Sequence, residues 1–261
     1  MIAGKNMRKF ITGLALTLFC TAASAENFFT GLVDDVVSDY EQYYTNPDWE
    51  GFAYLIGSTG AFANTGLDRA VREKWLSDIK GGRTDRLRDW GNSIGGAPQM
   101  GFFVPLYLTT YWIGAQFSDN PAANLLSQWS NRAFRITALM APQQLLLTNV
   151  TGADRPETNN SHWHLFKGDR GVSGHAAYGA VPFLSAASLT DNPWIKALWI
   201  TGSIIPGLAR VDDDKHYFSQ VLFGWGLTWL VSKTVDGNST APHWLAYHDQ
   251  DRFLLGYRFM W

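Results

Sequence analysis

The stretch GDRGVSGHAAYGAVPFLSAAS (168–188) passes from a polar loop into a long apolar segment. Ser173 stands at this junction, and serine is a preferred residue at the start of a helix. The apolar segment covers 174–189, which is long enough for a buried helix and too long for a typical strand. Four comparable segments, bounded by Gly, Pro, Asn or Asp, are 100–117, 122–150, 194–208 and 217–233. These five segments predict an all-α fold built as a helical bundle.

The remaining parts of the chain carry weaker patterns. Residues 31–44 place Leu32, Val33, Val36, Val37, Tyr40 and Tyr44 on one helical face, and residues 67–79 are typical of a surface helix. In the tail from Arg252 to Trp261, every second residue is apolar or aromatic, which predicts a short C-terminal strand; these residues are Phe253, Leu255, Tyr257, Phe259 and Trp261. A single strand cannot close a barrel, so an edge strand or an arm packed on the bundle is favoured.

The N-terminus has the pattern of a secretory signal peptide. The stretch MRKFITGLALTLFCTAASA (7–25) combines a basic start, a short apolar run and a small-residue end. We expect cleavage after Ala25 and export to the periplasm. Cleavage removes Cys20, the only cysteine, so the mature chain has no disulfide. Cleavage also removes three of the 21 Lys and Arg residues. The mature chain then has 18 basic and 23 acidic residues, which gives a net charge of −5. No basic stripe indicates nucleic acid as a partner.

Membrane association stays open at this point. The segments GFFVPLYLTTYWIGAQF (101–117) and YFSQVLFGWGLTWLV (217–231) are apolar, but they are at or below the length that crosses a bilayer. Buried bundle helices are therefore favoured over membrane spans.

Three short motifs, each beside an apolar segment, carry residues suited to handling a phosphate group. They are Arg155-Pro156, Ser173-Gly174-His175 and RVDDDKHYFSQ (210–220), which contains Arg210 and His216. Arginine offers planar forks of N–H groups to phosphoryl oxygens. The start of a helix presents free backbone N–H groups, and glycine lets an anion approach them closely. Two histidines can share the work of a nucleophile and a general acid.

With these motifs in this order, the chain resembles the type-2 phosphatidic acid phosphatase superfamily, which includes bacterial acid phosphatases and vanadium haloperoxidases. The signature of this superfamily consists of three motifs in order. The first is Lys, six residues and Arg-Pro, and the second is Pro-Ser-Gly-His. The third is Ser-Arg, five residues, His, three residues and Asp. The matching positions here are Arg155-Pro156, Ser173-Gly174-His175, Arg210 and His216. The resemblance covers about 95–235. It divides the chain into a signal peptide (1–25), N-terminal helices and loops (26–94), a catalytic bundle (95–235) and a C-terminal tail (236–261).

The resemblance implies a role for each matching residue. His216 would be the nucleophile that forms a phosphohistidine, and His175 would be the general acid. The phosphate would be bound by Arg155, Arg210, Ser173 and Gly174. No metal cofactor is implied.

Four positions depart from the signature. Thr148 stands in place of the lysine and Gln220 in place of the aspartate, while Val172 and Ala209 replace a proline and a serine. Lys167 or Arg170 is a candidate substitute for the missing cation. Gln220 lies one turn after His216, so its amide oxygen can accept a hydrogen bond from the imidazole. Because it brings no charge, Gln220→Asp is expected to raise turnover.

The expected activity is that of a phosphoric ester hydrolase acting on a phosphorylated small molecule or a lipid phosphate. Two alternatives remain: a catalytically impaired phosphate-binding envelope protein, and a vanadate-dependent haloperoxidase, which the missing lysine disfavours. The other histidines carry weaker signals. His162 and His164 lack the carboxylates or thiols of a metal site, and His243 and His248 lie in a polar stretch typical of a surface.

Overall fold

The computed structural model describes residues 30–95, 99–117, 119–235, 237, 244–249 and 252–257. The predicted all-α fold is confirmed. The helices are α1 (30–45), α2 (Trp49–Asn64), α3 (Leu67–Lys74), α4 (Gly82–Gly95), α5 (Gln99–Gln116), α6 (Pro121–Thr151), α7 (Gly174–Ala187), α8 (Pro193–Asp212) and α9 (Phe218–Val235). A π-helical turn, Trp75–Ile79, follows α3, and a 3-10 turn, Pro156–Thr158, follows α6.

The five apolar segments correspond to α5 to α9, with boundaries within a few residues of those expected. The core lies where α6, α7 and α9 meet. Its fully buried side chains include Ile136, Leu139, Met140, Val181, Leu227 and Val231. Helix α8 packs on the other side of α7, and α4 packs on both α7 and α8. No helix of the described residues is long and apolar enough to cross a membrane.

The side of α1 that faces the bundle differs from the predicted apolar face. Val33, Val37 and Tyr44 are exposed, whereas Asp39 is buried. Asp39 accepts two hydrogen bonds from Arg135 on α6, at 2.7 and 2.6 Å. The buried side of α1 therefore carries Asp39 together with Leu32 and Tyr43, which are also buried.

Helix α9 begins at Phe218, and a carboxylate from another helix caps it. Asp68 on α3 is fully buried and accepts hydrogen bonds from the backbone N–H of Ser219, at 2.9 Å, and from its hydroxyl, at 2.5 Å. These bonds satisfy a donor that the first turn of a helix leaves without an intrahelical partner. The start of α9, directly after His216, is thereby fixed to α3.

Close backbone packing brings α4 against α8. A Cβ atom on Gly91 would lie 2.8 Å from the Cβ of Ala209 and 2.9 Å from the carbonyl oxygen of Ile205. Only glycine fits at this distance, and the last turns of α4 consequently lie beside the C-terminal half of α8.

The predictions for the two ends of the chain have different results. The predicted signal peptide, residues 1–25, lies outside the described residues. The predicted C-terminal strand is present as β2 (Arg252–Tyr257), which pairs antiparallel with β1 (Trp244–Asp249) in a hairpin.

Candidate active site

The three predicted motifs meet at one end of α6, α7, α8 and α9. Arg155 follows α6, Ser173 caps α7, Arg210 lies in the last turn of α8, and His216 immediately precedes α9. The charges of Arg155 and Arg210 both influence His175 and His216. Residues that are up to 61 positions apart in the sequence are thus within electrostatic range of one another.

Gln220 connects the three loops of this site. Its Oε1 accepts a hydrogen bond from His216 Nδ1 at 2.7 Å and another from the backbone N–H of Tyr217 at 3.2 Å. Its Nε2 donates to the carbonyl oxygen of Asp154 at 2.6 Å. The backbone carbonyl oxygen of Gln220 accepts a hydrogen bond from the backbone N–H of Ser173 at 2.9 Å. The residue is almost completely buried, so these bonds fix its orientation.

The hydrogen bond from Nδ1 fixes the tautomer of His216. With the proton on Nδ1, the neutral ring has its free lone pair on Nε2. Burial lowers the pKa of His216 to about 3; the bond to Gln220 opposes this shift, and Arg210 adds to it. His216 is therefore a neutral imidazole with a nucleophilic Nε2 at neutral pH.

His175 lies on the first turn of α7 and is half-buried. Its ring packs against Gly95, where a Cβ atom would approach the ring carbon Cδ2 at 3.3 Å. The pKa of His175 is lowered to about 4, mainly by burial and also by Arg210 and Arg155, whereas Asp213 opposes the shift. An anion held between the arginines would favour the protonated form.

Both arginines have donors that no described residue satisfies. The Nε atoms of Arg155 and Arg210 are buried and lack a hydrogen-bond acceptor within the described part of the chain. The side-chain hydrogen bonds of Arg210 run from Nη1, to Asn92 Oδ1 at 3.0 Å and Asp213 Oδ2 at 3.2 Å. The opposite edge of that guanidinium, Nε with Nη2, is the one that can bind an oxyanion in a fork.

Ser173 and Gly174 form the start of α7. The hydroxyl of Ser173 accepts a hydrogen bond from the backbone N–H of Ala176 at 3.4 Å, as a capping residue does. Ser173 is fully buried. Its hydroxyl therefore has a structural partner, and the first-turn backbone N–H groups of α7 are the donors suited to an anion.

Thr148 does not reproduce the lysine of the signature. It is buried, and its hydroxyl donates to the carbonyl oxygen of Val172 at 3.3 Å, while Gln144 donates to both of these groups. The Gln144–Thr148 pair thus supports the loop before Ser173 without adding a positive charge.

The two suggested substitutes for the lysine and the remaining histidines have the following surroundings. Lys167 is exposed, and Arg170 pairs with Asp169 at 3.2 Å. His164 is exposed and bonds to Asn160 at 2.9 Å, and His162 is also exposed. His248 lies on β1, and His243 falls outside the described residues. No group of three or more potential metal ligands occurs among the residues that the structure describes.

Two ion pairs hold the outer ends of the loops that carry Arg155 and His216. Lys215 pairs with Glu157 at 3.0 Å. Arg72, on α3, donates twice to Asp214 at 2.6 Å and once to Asn159 at 3.4 Å. Sequence reasoning did not find Arg72 or Asn92, because neither belongs to the three motifs.

Of the comparisons with known proteins, the one with family models gives a match, and it covers the candidate site. The family model of the PAP2 superfamily matches residues 132–236. The resemblance predicted from the motifs is confirmed over this segment, which contains all eight predicted site residues, from Thr148 to Gln220. No curated protein and no solved structure matches the chain.

Proposed function

We propose that the chain is a metal-independent phosphatase that hydrolyses phosphomonoesters or lipid phosphates through a phosphohistidine. The superfamily match supports a phosphoric ester hydrolase that acts on phosphorylated substrates. The observation that carries the proposal is the pair of buried arginine Nε atoms, which have no acceptor among the described residues, beside two histidines of lowered pKa. Two guanidinium forks and the start of α7 provide the charge and N–H donors that a phosphoryl group requires.

In the first step, Nε2 of His216 attacks phosphorus and the bond to the ester oxygen breaks. His175, which takes a proton from the bound phosphate monoanion, gives this proton to the departing oxygen. The phosphorylated imidazole is positively charged, and its Nδ1–H remains bonded to Gln220 Oε1. Arg155 and Arg210 stabilise the charge on the equatorial oxygens.

In the second step, water attacks the phosphohistidine. The neutral His175 accepts a proton from this water, the bond between nitrogen and phosphorus breaks, and inorganic phosphate leaves. The proton on His175 then passes to the departing phosphate, so both histidines return to their neutral starting states and the cycle balances.

The test is turnover of p-nitrophenyl phosphate in EDTA, combined with trapping of the intermediate. We expect acid-labile, alkali-stable phosphate on the peptide that contains His216. His216→Ala should lose more than a hundredfold in rate, a barrier increase of about 2.7 kcal/mol. His164→Ala, at an exposed histidine bonded to Asn160, is the matched control and should retain full activity.

An impaired phosphate-binding protein is the second candidate, and it is favoured by the loss of a cation at Thr148 and of a carboxylate at Gln220. Such a protein would bind inorganic phosphate but would show neither turnover nor a trapped phosphohistidine. Bromide oxidation after addition of vanadate would instead indicate the haloperoxidase alternative.

We further propose a periplasmic location, on the basis of the signal-peptide pattern in residues 1–25. Cell fractionation should recover a mature chain that begins at Glu26 in the periplasm or associated with the membrane. A full-length cytoplasmic product would contradict this location.

A further inference from the structure

Helix α4 contributes to the site although it lies outside the segment that matches the superfamily, residues 132–236. Its residue Asn92 reaches the α8 terminus, 118 positions away in the chain. Asn92 is half-buried, and both functional atoms of its amide are used there. The Oδ1 accepts from Arg210 Nη1 at 3.0 Å, and the Nδ2 donates to Asp213 Oδ2 at 2.6 Å.

These contacts close a small ring of three side chains. Arg210 Nη1 also donates to Asp213 Oδ2 at 3.2 Å, so Asn92 and Asp213 hold the same guanidinium nitrogen. Arg88, one turn earlier on α4, anchors the other oxygen of Asp213 at 3.3 Å. The plane of the Arg210 guanidinium is therefore set by side chains from α4 and from the loop after α8.

We propose that Asn92 is a positioning residue that aims the Nε–Nη2 edge of Arg210 at the phosphoryl group. This inference rests on the proposed function. Fixing Nη1 on one side leaves the opposite edge, with its buried and unsatisfied Nε, as the part available to an oxyanion. A guanidinium fork recognises phosphate only when it is correctly oriented. Asn92 should therefore act on phosphate affinity through Arg210, without touching phosphate itself.

The test compares Asn92→Ala with the full-length wild type, using inorganic phosphate as the probe. We expect the inhibition constant of phosphate and the Michaelis constant for p-nitrophenyl phosphate to rise about fivefold to tenfold, with a smaller effect on kcat. Ser93→Ala is the matched control, because the Ser93 hydroxyl bonds within its own helix, to the carbonyl oxygen of Trp90 at 2.7 Å. It should leave both constants unchanged.

A double-mutant cycle separates positioning from a structural role. In an Arg210→Ala background, Asn92→Ala should have no further effect on phosphate affinity, because the group that it positions is absent. Equal effects of Asn92→Ala in both backgrounds would show that the residue acts through general stability and would overturn the inference.

A further variant covers the case in which Asn92→Ala fails to fold. Asn92→Asp keeps the acceptor for Arg210, but it replaces the bond to Asp213 with repulsion and adds negative charge near the phosphate, so it should also weaken phosphate binding. Wild-type phosphate affinity in every folded Asn92 variant would overturn this inference but not the proposed function. A wild type that neither binds phosphate nor hydrolyses esters would reject the proposed function and this inference with it.

Discussion

Gln220 shows how a single side chain can orient His216, the proposed nucleophile. From the sequence it was an uncharged replacement for an aspartate, and Gln220→Asp was expected to raise turnover. The structure changes this expectation, because Gln220 Nε2 also donates to the carbonyl oxygen of Asp154 at 2.6 Å. An aspartate is one methylene shorter and has no N–H to donate. The sequence could not reveal this bond, since Asp154 is 66 positions away.

We therefore expect Gln220→Asp and Gln220→Glu to lower kcat/KM for p-nitrophenyl phosphate, by about tenfold or more. Each gains a charge beside His216 but leaves the buried Asp154 carbonyl without its donor, and loss of a buried partner costs about 1–3 kcal/mol. Gln220→Leu removes all three side-chain hydrogen bonds, to His216, Tyr217 and Asp154, and should be the slowest variant. Faster turnover by the aspartate variant would show that charge matters more than the link to Asp154.

The pH dependence of the reaction should reflect His175. Because its pKa is lowered to about 4, the unliganded protein does not carry the proton for the leaving group at neutral pH. A phosphate monoester is a monoanion below its second pKa of about 6, and only in that form can it supply the proton. We expect kcat/KM for an alkyl phosphate to fall up to tenfold per pH unit above about pH 6. With p-nitrophenyl phosphate, whose alcohol leaves unprotonated, the fall should be shallower. A rise between pH 6 and 8 would exclude His175 as the proton donor.

At the scale of elements, the long apolar helices could be predicted and α4 could not. Apolar residues dominate the sequences of the segments that became α5 to α9, although only α7 and α9 are buried along most of their length, and the first half of α8 is exposed. Helix α4, GRTDRLRDWGNSIG, is mostly polar and has few large apolar residues. Its position depends on α8, through Gly91 against Ala209, and no local pattern records that contact.

The packing of α4 on α8 gives a prediction for Gly91→Ala. The added methyl group would collide with the carbonyl oxygen of Ile205, so we expect a loss of about 1–3 kcal/mol in the free energy of unfolding. Gly57→Ala is the control, because a Cβ there would meet nothing within 4 Å on the exposed side of α2. It should instead stabilise by about 0.5–1 kcal/mol. Urea unfolding measures both values, and losses of equal size would contradict the packing argument.

At the scale of the whole molecule, the site draws on most of the described bundle. Arg155 follows α6, His175 begins α7, Arg210 ends α8 and His216 precedes α9, while Arg72 and Asn92 come from α3 and α4. The motifs predicted the first four residues because their spacing matches the superfamily signature. The last two depend on tertiary contacts alone, and they lie before the predicted catalytic bundle at 95–235.

Phosphate should consequently stabilise the whole fold. At one hundred times its dissociation constant, inorganic phosphate would add about 2.7 kcal/mol, which corresponds to a rise in Tm of about 5 to 10 °C. Arg155→Lys and Arg210→Lys should reduce this rise, because an ammonium group cannot form the fork. A full phosphate-dependent rise in both variants would place the anion elsewhere.

The carboxylate of Asp68 at the start of α9 links the stability of the fold to proton concentration. Burial raises the pKa of Asp68 above its ordinary 3.8, although the bonds from Ser219 oppose this. The folded chain therefore keeps this proton at a pH at which the unfolded chain has released it, so the contribution of Asp68 to stability falls as pH rises through that interval.

Asp68→Asn retains an oxygen acceptor for the Ser219 N–H without a charge. The free energy of unfolding of the variant minus that of wild type, measured in urea, should be larger at pH 7 than at pH 4. An unchanged difference between the two pH values would contradict this linkage. Asp68, which caps the helix behind the proposed nucleophile, would thus contribute most to the stability of the fold in acid, where a substrate monoanion can still deliver its proton.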